Sequence, residues 1–247
     1  MKEKIPKTIH YVWVGGASKP DKIVKCINTW KKNCPEYEIK EWNENNFDIN
    51  SCEFTKKAYE LKKWAFVSDY IRMYAIFNEG GIYFDTDVIA LSNLDEFLNY
   101  DCFVGYESND IPFTAVFGAR KGHKLIKKVL DSYDRIGENY DFNLTNTILV
   151  SDILLNDYHC AKGNKKQILA DNILVLPKEI LCNPSLKSKT IHAFTASWND
   201  NKISFVGKLE NKLRGVMYNK FLIFFYRILD FLLFIPKRKI GMLIKKR

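Results

Sequence analysis

The residue types best suited to chemistry lie close together in one stretch, residues 65–90 (AFVSDYIRMYAIFNEGGIYFDTDVIA). Two aspartates, Asp85 and Asp87, are one residue apart directly after the apolar run 82–84. Carboxylates this close repel each other and lose solvation when they are buried. A divalent cation relieves both costs, and carboxylate oxygens suit Mg²⁺ or Mn²⁺, which also bind phosphates. The pair therefore predicts a cation site, with both aspartates on one face of a strand.

A second charged pair precedes the aspartates on a predicted helix. Residues 65–79 have helical apolar spacing, and the glycines at 80–81 end the helix because glycine accepts the positive φ of a helix C-terminus. Asp69 and Arg72 are three residues apart and share one helix face. Alone, such a pair is more often a surface ion pair, and an isolated Asp-x-Asp is more often a solvated turn. The combined context favours a functional site.

Alternating strand and helix patterns surround this stretch. Strands are predicted at residues 8–14, 37–42, 82–84, 102–106, 114–118, 173–176 and 190–193. Helices are predicted at residues 19–33, 54–63, 65–79, 122–133 and 144–155. The alternation predicts an α/β fold with a mostly parallel sheet. Ligands of such sheets bind outside the carboxyl ends of the strands, where the two aspartates are expected.

Two outer segments supply further candidate residues. Trp13 precedes two glycines at 15–16, which let a ligand approach the backbone. Trp13 can stack on a planar base or fill the core, and composition alone favours the core; His10 is better explained as a structural residue. Near the end of the pattern, residues 190–198 read TIHAFTASW. His192 is a candidate third cation ligand, and imidazole suits Mn²⁺ better than Mg²⁺.

Charge and cysteine usage narrow the class of protein. The 247 residues suffice for one large domain, and the net charge of +9 is uneven. Residues 202–247 hold eight Lys and four Arg against two acidic residues, a net +10, which leaves −1 for residues 1–201. A basic core that would indicate nucleic acid is therefore missing. Six cysteines without metal-ligand spacing, and no apolar signal segment at the N-terminus, predict a reduced, cytosolic compartment.

The C-terminal segment differs from the rest. Residues 219–235 read NKFLIFFYRILDFLLFI, an apolar run too short and too interrupted for a membrane span of about 20 residues. As a helix it places Lys220, Arg227 and Asp230 on one narrow stripe, with Phe and Leu over the remainder and basic clusters beyond it. This is typical of a helix in an anionic membrane surface. We favour that interpretation over packing on the domain's own core or an oligomer contact.

Three segments, in chain order, resemble a known family: IPKTIHYVWVGG, AFVSDYIRMYAIFNEGGIYFDTDV and TIHAFTASW. They resemble family 32 of the glycosyltransferases with a DXD sugar-binding region, which includes bacterial capsular-polysaccharide transferases and yeast α-mannosyltransferases. Glucosyltransferase domains of large clostridial toxins are more distantly similar. The resemblance covers about residues 5–200. It implies a GT-A-type α/β domain with a mixed, mostly parallel sheet, predicted over residues 1–201, followed by the amphipathic helical tail over 202–247.

The resemblance also implies roles for matching residues on the donor's base and sugar. Trp13 would stack on the nucleobase, with Val12 beside it. Asp69 and Arg72 would hold the donor's sugar and ribose. Asp85 would contact the ribose or sugar and reach the ion through a water.

The remaining implied roles concern the ion and the diphosphate. Asp87 would ligate the ion directly, and His192 is the candidate second ligand. Ser197 and Trp198 would contact the diphosphate. The implied activity is transfer of a sugar, with retention, from a nucleotide sugar (best a UDP-sugar) to a glycan, with Mn²⁺ or Mg²⁺. The tail adds a lipid-linked acceptor at the inner face of the cell membrane, in bacterial cell-surface polysaccharide synthesis.

Two other classes compete with this interpretation. A haloacid-dehalogenase-type phosphohydrolase would use Asp85 as nucleophile and Asp87 as general acid, since IYFDTDV matches its first motif. That motif normally opens the chain, and the later acidic pair that holds Mg²⁺ is not visible. The second alternative is a membrane-bound protein that binds nucleotide sugars without turning them over; the intact aspartates and Arg72 argue against it.

Overall fold

The computed structural model describes residues 4–137, 145–194 and 205–229, and strands and helices alternate through most of them. The strands are β1 (Thr8–Val12), β2 (Glu38–Trp42), β3 (Gly81–Phe84), β4 (Val88–Ala90), β5 (Cys102–Gly105), β6 (Val116–Ala119), β7 (Gln167–Leu169), β8 (Ile173–Leu176) and β9 (Thr190–His192). The helices are α1 (Asp21–Asn33), α2 (Glu53–Glu60), α3 (Trp64–Glu79), α4 (Lys124–Ile136), α5 (Asn146–Asn156), α6 (Lys178–Leu181), α7 (Phe205–Arg214) and α8 (Lys220–Leu229). The predicted α/β class is confirmed.

Seven strands form one mixed sheet in the order β2-β1-β3-β6-β5-β8-β7. Strand β1 is parallel to β2 and β3, and β5 is parallel to β8. Strand β6 lies antiparallel between β3 and β5, and β7 is antiparallel to β8. Five of these seven strands therefore run in one direction, which confirms a mixed, mostly parallel sheet.

Strand β3 lies inside this sheet and packs on both faces. Tyr83 packs on the side of α3, in the same apolar cluster as Ile71. Phe84 points to the other side, where its ring meets the Trp30 ring of α1 edge-on at 5.4 Å. A strand that is buried on both faces needs apolar residues throughout, which explains the uninterrupted run 82–84.

The Gly80-Gly81 pair joins α3 to β3 in a space that admits no side chain. Both residues have positive φ, 72° at Gly80 and 110° at Gly81. A Cβ on Gly81 would lie 2.7 Å from the Thr8 carbonyl oxygen and 2.8 Å from Nε2 of His10. Glycine is therefore required for α3 to turn directly into β3.

Strands β4 and β9 do not belong to the large sheet and form a separate antiparallel pair. The chain leaves the large sheet after Phe84 and enters this pair at Val88. Residues 85–87 thus form the turn between two sheets. The prediction that Asp85 and Asp87 share a strand face is wrong, because strand pairing ends one residue before the first aspartate.

Helices α7 and α8 follow the predicted boundary at residue 201. The boundary lies in the stretch 195–204, outside the described residues, and stays a prediction. Three side chains of this segment are buried against α1 and the β4–β9 pair: Met217, Ile223 and Tyr226. One face of α8 therefore packs on the domain core. No helix within the described part of the chain combines the length and apolarity needed to cross a membrane.

Candidate metal centre and its surroundings

The two aspartates and His192 come together where the two sheets meet. The turn is fixed by its backbone: the Asp85 N–H donates to the Ala115 carbonyl, and the Val88 N–H donates to the Asp85 carbonyl, each at 3.0 Å. One ligand atom from each of Asp85, Asp87 and His192 lies within 4.8 Å of the other two. Two carboxylate oxygens and an imidazole nitrogen form a donor set that fits Mn²⁺. The predicted cation site thus exists as a geometric cluster, although its aspartates are on a turn.

His192 is brought to this turn by pairing of β9 with β4, which sets His192 opposite Val88. Its Nε2 lies 3.2 Å from Oδ1 of Asp87, and the Ala193 N–H donates to the Asp87 carbonyl at 3.1 Å. Burial lowers the pKa of His192, but Asp87 and Cys182 raise it, and the net pKa lies well above its ordinary value. Without an ion, the protonated imidazole thus offsets part of the carboxylate charge.

Arg72 binds two carboxylates from the α3 side. Its Nη2 lies 3.0 Å from Oδ1 of Asp69 and 3.1 Å from Oδ1 of Asp85. Burial acts to lower the pKa of Arg72, but Asp85, Tyr83 and Asp69 raise it above the ordinary value, so the guanidinium stays charged. The guanidinium carbon also lies 4.7 Å from the centre of the Tyr83 ring, a cation–π contact. Asp69 and Arg72 share one helix face, as predicted, and they form a buried ion pair there.

Asp69 is the most buried of these carboxylates. Its Oδ2 accepts a hydrogen bond from the Asn146 N–H at 3.3 Å, at the start of α5. Burial raises the pKa of Asp69 to about 6, Arg72 opposes the rise and Asp85 adds to it. A buried carboxylate with this pKa can accept a hydrogen bond from a sugar hydroxyl and titrates within a biochemically accessible range.

Trp13 and Val12 lie at the carboxyl end of β1, which is next to β3. Val12 is buried in the core, and Trp13 is half-buried. The Trp13 indole N–H donates to the Ala17 carbonyl at 2.7 Å, and Lys19 Nζ lies 5.6 Å from the ring centre. The indole is therefore held over the glycine loop on the same edge of the sheet as Asp85.

The other sequence candidates divide between core and undescribed residues. His10 is fully buried, with Nε2 2.8 Å from the Gly80 carbonyl oxygen and Nδ1 accepting from the Trp42 indole at 3.0 Å. It is a structural residue, as predicted. Ser197 and Trp198 lie outside the described residues, and their proposed contacts with a diphosphate stay predictions.

Sequence reasoning missed two charged residues at this site, Glu107 and Arg214. Burial raises the pKa of Glu107, His192 and Arg214 oppose the rise, and Asp85 and Asp87 add to it. Glu107 follows β5, and Arg214 ends α7. Neither lies in a recognisable motif, and only the strand order and the return of the C-terminal helices bring them to the metal ligands.

Comparisons with known proteins agree with this site. Residues 20–104 match the family described as "Glycosyltransferase sugar-binding region containing DXD motif". That region contains Asp69, Arg72, Asp85 and Asp87, while His192 and Arg214 lie outside it. The resemblance to glycosyltransferases with a DXD region is thereby confirmed.

Two curated relatives and one solved structure extend the comparison. Inositol phosphoceramide mannosyltransferase 3 of Schizosaccharomyces pombe is 26% identical over 82% of this chain and 58% of that protein. An uncharacterized glycosyltransferase of Acanthamoeba polyphaga mimivirus is 26% identical over 58% of this chain and 61% of that protein. The chain thus spans about three fifths of these relatives. The structure of the PaToxG glycosyltransferase is 22% identical, with a TM-score of 0.51, over 63% of this chain and 70% of that one, which supports the GT-A-type fold.

Proposed function

We propose that this protein is a retaining glycosyltransferase that moves a hexose from a UDP-sugar to a glycan, with Mn²⁺ held by Asp85, Asp87 and His192. The observation that carries the proposal is the convergence of these three side chains beside the Asp69–Arg72 pair. A nucleotide sugar needs a cation for its diphosphate and polar groups for its sugar. The cluster offers both within one edge of the sheet.

Each side chain has a task in this reaction. A bound divalent ion would supply Lewis-acid stabilisation of the leaving diphosphate. Arg72 lies against Asp85 and adds fixed positive charge where negative charge grows as the C1–O bond breaks. Asp69 holds Arg72 in place and accepts from sugar hydroxyls, and Trp13 stacks on the base. With retention, the acceptor oxygen bonds to C1 on the face that the diphosphate leaves, and a diphosphate oxygen takes the acceptor proton.

The outer face of α8 supports a lipid-linked acceptor. Ile223 and Tyr226 face the core, and the opposite face exposes four large apolar side chains: Phe221, Phe224, Phe225 and Ile228. Lys220 and Arg227 lie along the edge of this face, so an anionic bilayer matches both its apolarity and its charge. The S. pombe relative is named for a lipid acceptor, inositol phosphoceramide. We place the enzyme at the cytoplasmic face of a bacterial cell membrane, in capsular or other cell-surface polysaccharide synthesis.

The phosphohydrolase alternative fits the geometry less well. Its nucleophile, Asp85, is paired with Arg72, and its general acid, Asp87, is paired with His192. A carboxylate held by a guanidinium is a poor nucleophile, and a carboxylate paired with an imidazolium is a poor proton donor. The other alternative is a protein that binds nucleotide sugars without catalysis. Turnover of a nucleotide sugar would distinguish an enzyme from it.

The test is release of nucleoside diphosphate from a panel of nucleotide sugars with Mn²⁺. We expect one donor to be hydrolysed by the wild type, and hydrolysis to disappear with chelator and in Asp87→Asn. Asp131→Asn is the matched control, because this aspartate pairs only with Lys127 among the contacts described on α4. Donor binding without turnover, even with glycan acceptors added, would support the binding protein instead. Phosphate release from sugar phosphates would indicate the phosphohydrolase.

A further inference from the structure

The two ring nitrogens of His192 have different surroundings. Nε2 lies 3.2 Å from Oδ1 of Asp87, so Nδ1, on the other side of the ring, points away from that carboxylate. Nδ1 is buried, and no atom in the part of the chain that the structure describes meets it in a hydrogen bond of ordinary geometry. A buried polar atom in this state is uncommon in folded proteins and needs an explanation.

Cys182 lies beside His192 on the side away from the two aspartates. The His192 N–H donates to the Cys182 carbonyl at 2.9 Å, and the Thr190 hydroxyl donates to the Leu181 carbonyl at 2.7 Å. These bonds fix the end of α6 against β9. Cys182 is fully buried, and its side chain is close enough to the imidazole to contribute to the raised pKa of His192. Its sulfur is therefore the polar side-chain atom best placed to meet Nδ1.

A bound cation would create a demand for an acceptor at Nδ1. When Nε2 gives its lone pair to an ion, the neutral ring carries its proton on Nδ1. A buried N–H without an acceptor costs free energy, and metal-binding histidines almost always donate this second N–H to a neighbouring group. The Phe194 ring lies 3.9 Å from the imidazole ring and offers no lone pair. Among the described residues, the sulfur of Cys182 is thus the candidate acceptor.

We propose that Sγ of Cys182 accepts a hydrogen bond from Nδ1–H of His192 when a cation is bound, and so keeps Nε2 directed at the ion. Cys182 is then a positioning residue, because it touches neither the ion nor the substrate and acts through His192. The inference rests on the proposed function and deepens it, since it concerns the same cation site. Sulfur is a weak acceptor, so its contribution is smaller than that of a carboxylate in this place.

The experiment measures binding of Mn²⁺ to the full chain by calorimetry, at one fixed pH and without a donor. Cys182→Val removes the acceptor and keeps a similar volume, and the affinity for Mn²⁺ should fall about 10-fold, the lower end of what loss of such a partner costs. Cys182→Ser supplies oxygen, a stronger acceptor than sulfur, and should stay within about 3-fold of the wild type. If Cys182 only fills the core, this order reverses, because an apolar site accepts valine better than a hydroxyl.

Two comparisons show whether the effect passes through His192. In His192→Gln, the additional change Cys182→Val should cost no further affinity, because the ring that Cys182 positions is gone. Cys102→Val is the matched control and should bind Mn²⁺ as the wild type does. Cys102 is also fully buried, but it begins β5, at the opposite edge of the large sheet from Asp85. Should Cys182→Val not fold, Cys182→Ala also lacks the acceptor, and the same loss is expected.

The outcomes separate this inference from the proposed function. A wild type that does not bind Mn²⁺ overturns the proposed cation site, and the role of Cys182 falls with it. If the wild type binds but Cys182→Val matches Cys102→Val, the cation site stands and only the inference on Cys182 is wrong. The inference is also wrong if the valine variant binds Mn²⁺ more tightly than the serine variant, or if Cys182→Val still weakens binding in His192→Gln.

Discussion

The Nη2 atom of Arg72 lies 3.1 Å from Oδ1 of Asp85, and this contact joins helix α3 to the turn that follows β3. The same nitrogen lies 3.0 Å from Oδ1 of Asp69. One guanidinium therefore holds two carboxylates, one from the helix and one from the turn, that would otherwise repel each other. The ion pair orders this side of the site before any donor binds.

Loss of Arg72 is expected to destabilise the fold as well as the site. Arg72→Met leaves the buried Asp69 without its cation, which typically costs about 3–5 kcal/mol in the free energy of unfolding. Urea unfolding at neutral pH measures this cost. Arg120→Met is the control, because Arg120 pairs with Asp101 at the surface, and such pairs contribute about 1 kcal/mol or less.

A double variant tests whether the cost of losing Arg72 comes from the unpaired charge that is left on Asp69. Adding Asp69→Asn to Arg72→Met removes the uncompensated charge, so the double variant should recover part of the lost stability. Equal unfolding free energies for the single and double variants would contradict a buried ion pair at this position.

The raised pKa of Asp69 predicts an acidic limb in the activity profile. The carboxylate must be ionised to pair with Arg72 and accept from sugar hydroxyls, and its pKa is about 6. As pH falls below that value the ionised fraction falls, so kcat/KM for donor hydrolysis should drop about tenfold per pH unit. The measurement uses saturating Mn²⁺, and Asp69→Asn should show lower activity without this limb. A limb that persists in the variant would assign the titration to another group.

Binding of Mn²⁺ should compete with a proton on His192. The pKa of His192 is raised well above its ordinary value, and a metal ligand must be deprotonated. Below that pKa each ion displaces one proton, so the affinity for Mn²⁺ should rise about tenfold per pH unit as pH increases. Calorimetric titration at several pH values, in buffers of different ionisation enthalpy, measures both the slope and the released proton.

Replacing His192 should weaken the binding of Mn²⁺ and flatten its pH dependence. His192→Gln is expected to bind Mn²⁺ at least about 10-fold more weakly, with a flatter pH dependence. His123→Gln provides a matched control, because His123 caps α4 through the Leu125 N–H, well outside the cluster of ligands. Unchanged binding in His192→Gln would show that the ion is held by the aspartates alone.

The sequence predicted those features that depend on local pattern. The apolar run 82–84, the helix before it and the two glycines between them were each placed to within a residue or two. Asp69 and Arg72 were correctly assigned to one face, because helical spacing of three residues fixes that relationship. Residues that are close in sequence are sufficient to specify these features.

Other features depend on contacts between distant parts of the chain. The separate β4–β9 pair sets Asp87 beside His192 across more than a hundred residues, and no local pattern marks where the large sheet ends. Arg214 and Glu107 reach the site only because α7 packs on that pair and β5 lies beside β6. The sequence pattern of the tail favours a membrane helix, because apolar residues cover most of the predicted helix surface. In the structure, the face that carries Ile223 and Tyr226 packs on the core.

Gly81, the first residue of β3, should be highly sensitive to substitution. Gly81→Ala adds a Cβ at a φ of 110° and within 2.8 Å of the Thr8 carbonyl and the buried His10 ring. Backbone strain and this overlap should lower the free energy of unfolding by more than about 2 kcal/mol. Gly215→Ala is the control: its Cβ would meet only ordinary contacts at 3.6 Å. Equal melting temperatures for the two variants would contradict the packing described here.

The outer face of α8 provides the test of membrane binding. Phe221 and Phe225 are 68% and 49% exposed, on the side of the helix opposite Ile223. Phe221→Ser/Phe225→Ser should leave the fold intact and weaken binding to phosphatidylglycerol vesicles at least about 10-fold, because each buried Phe contributes about 1.5–3 kcal/mol. Point substitutions are preferable to truncation, since Met217 and Tyr226 hold the segment on the core.

Matched controls separate the α8 face from general hydrophobicity. Ile168→Ser and Leu61→Ser alter apolar residues with comparable exposure, 60% and 48%, elsewhere on the surface. Both should sediment with vesicles as the wild type does. Because the attraction includes the charges of Lys220 and Arg227, binding should also weaken with salt and be lower on phosphatidylcholine. If the double Phe variant still sediments like the wild type, α8 does not contact the bilayer, and the lipid-linked acceptor loses its structural support.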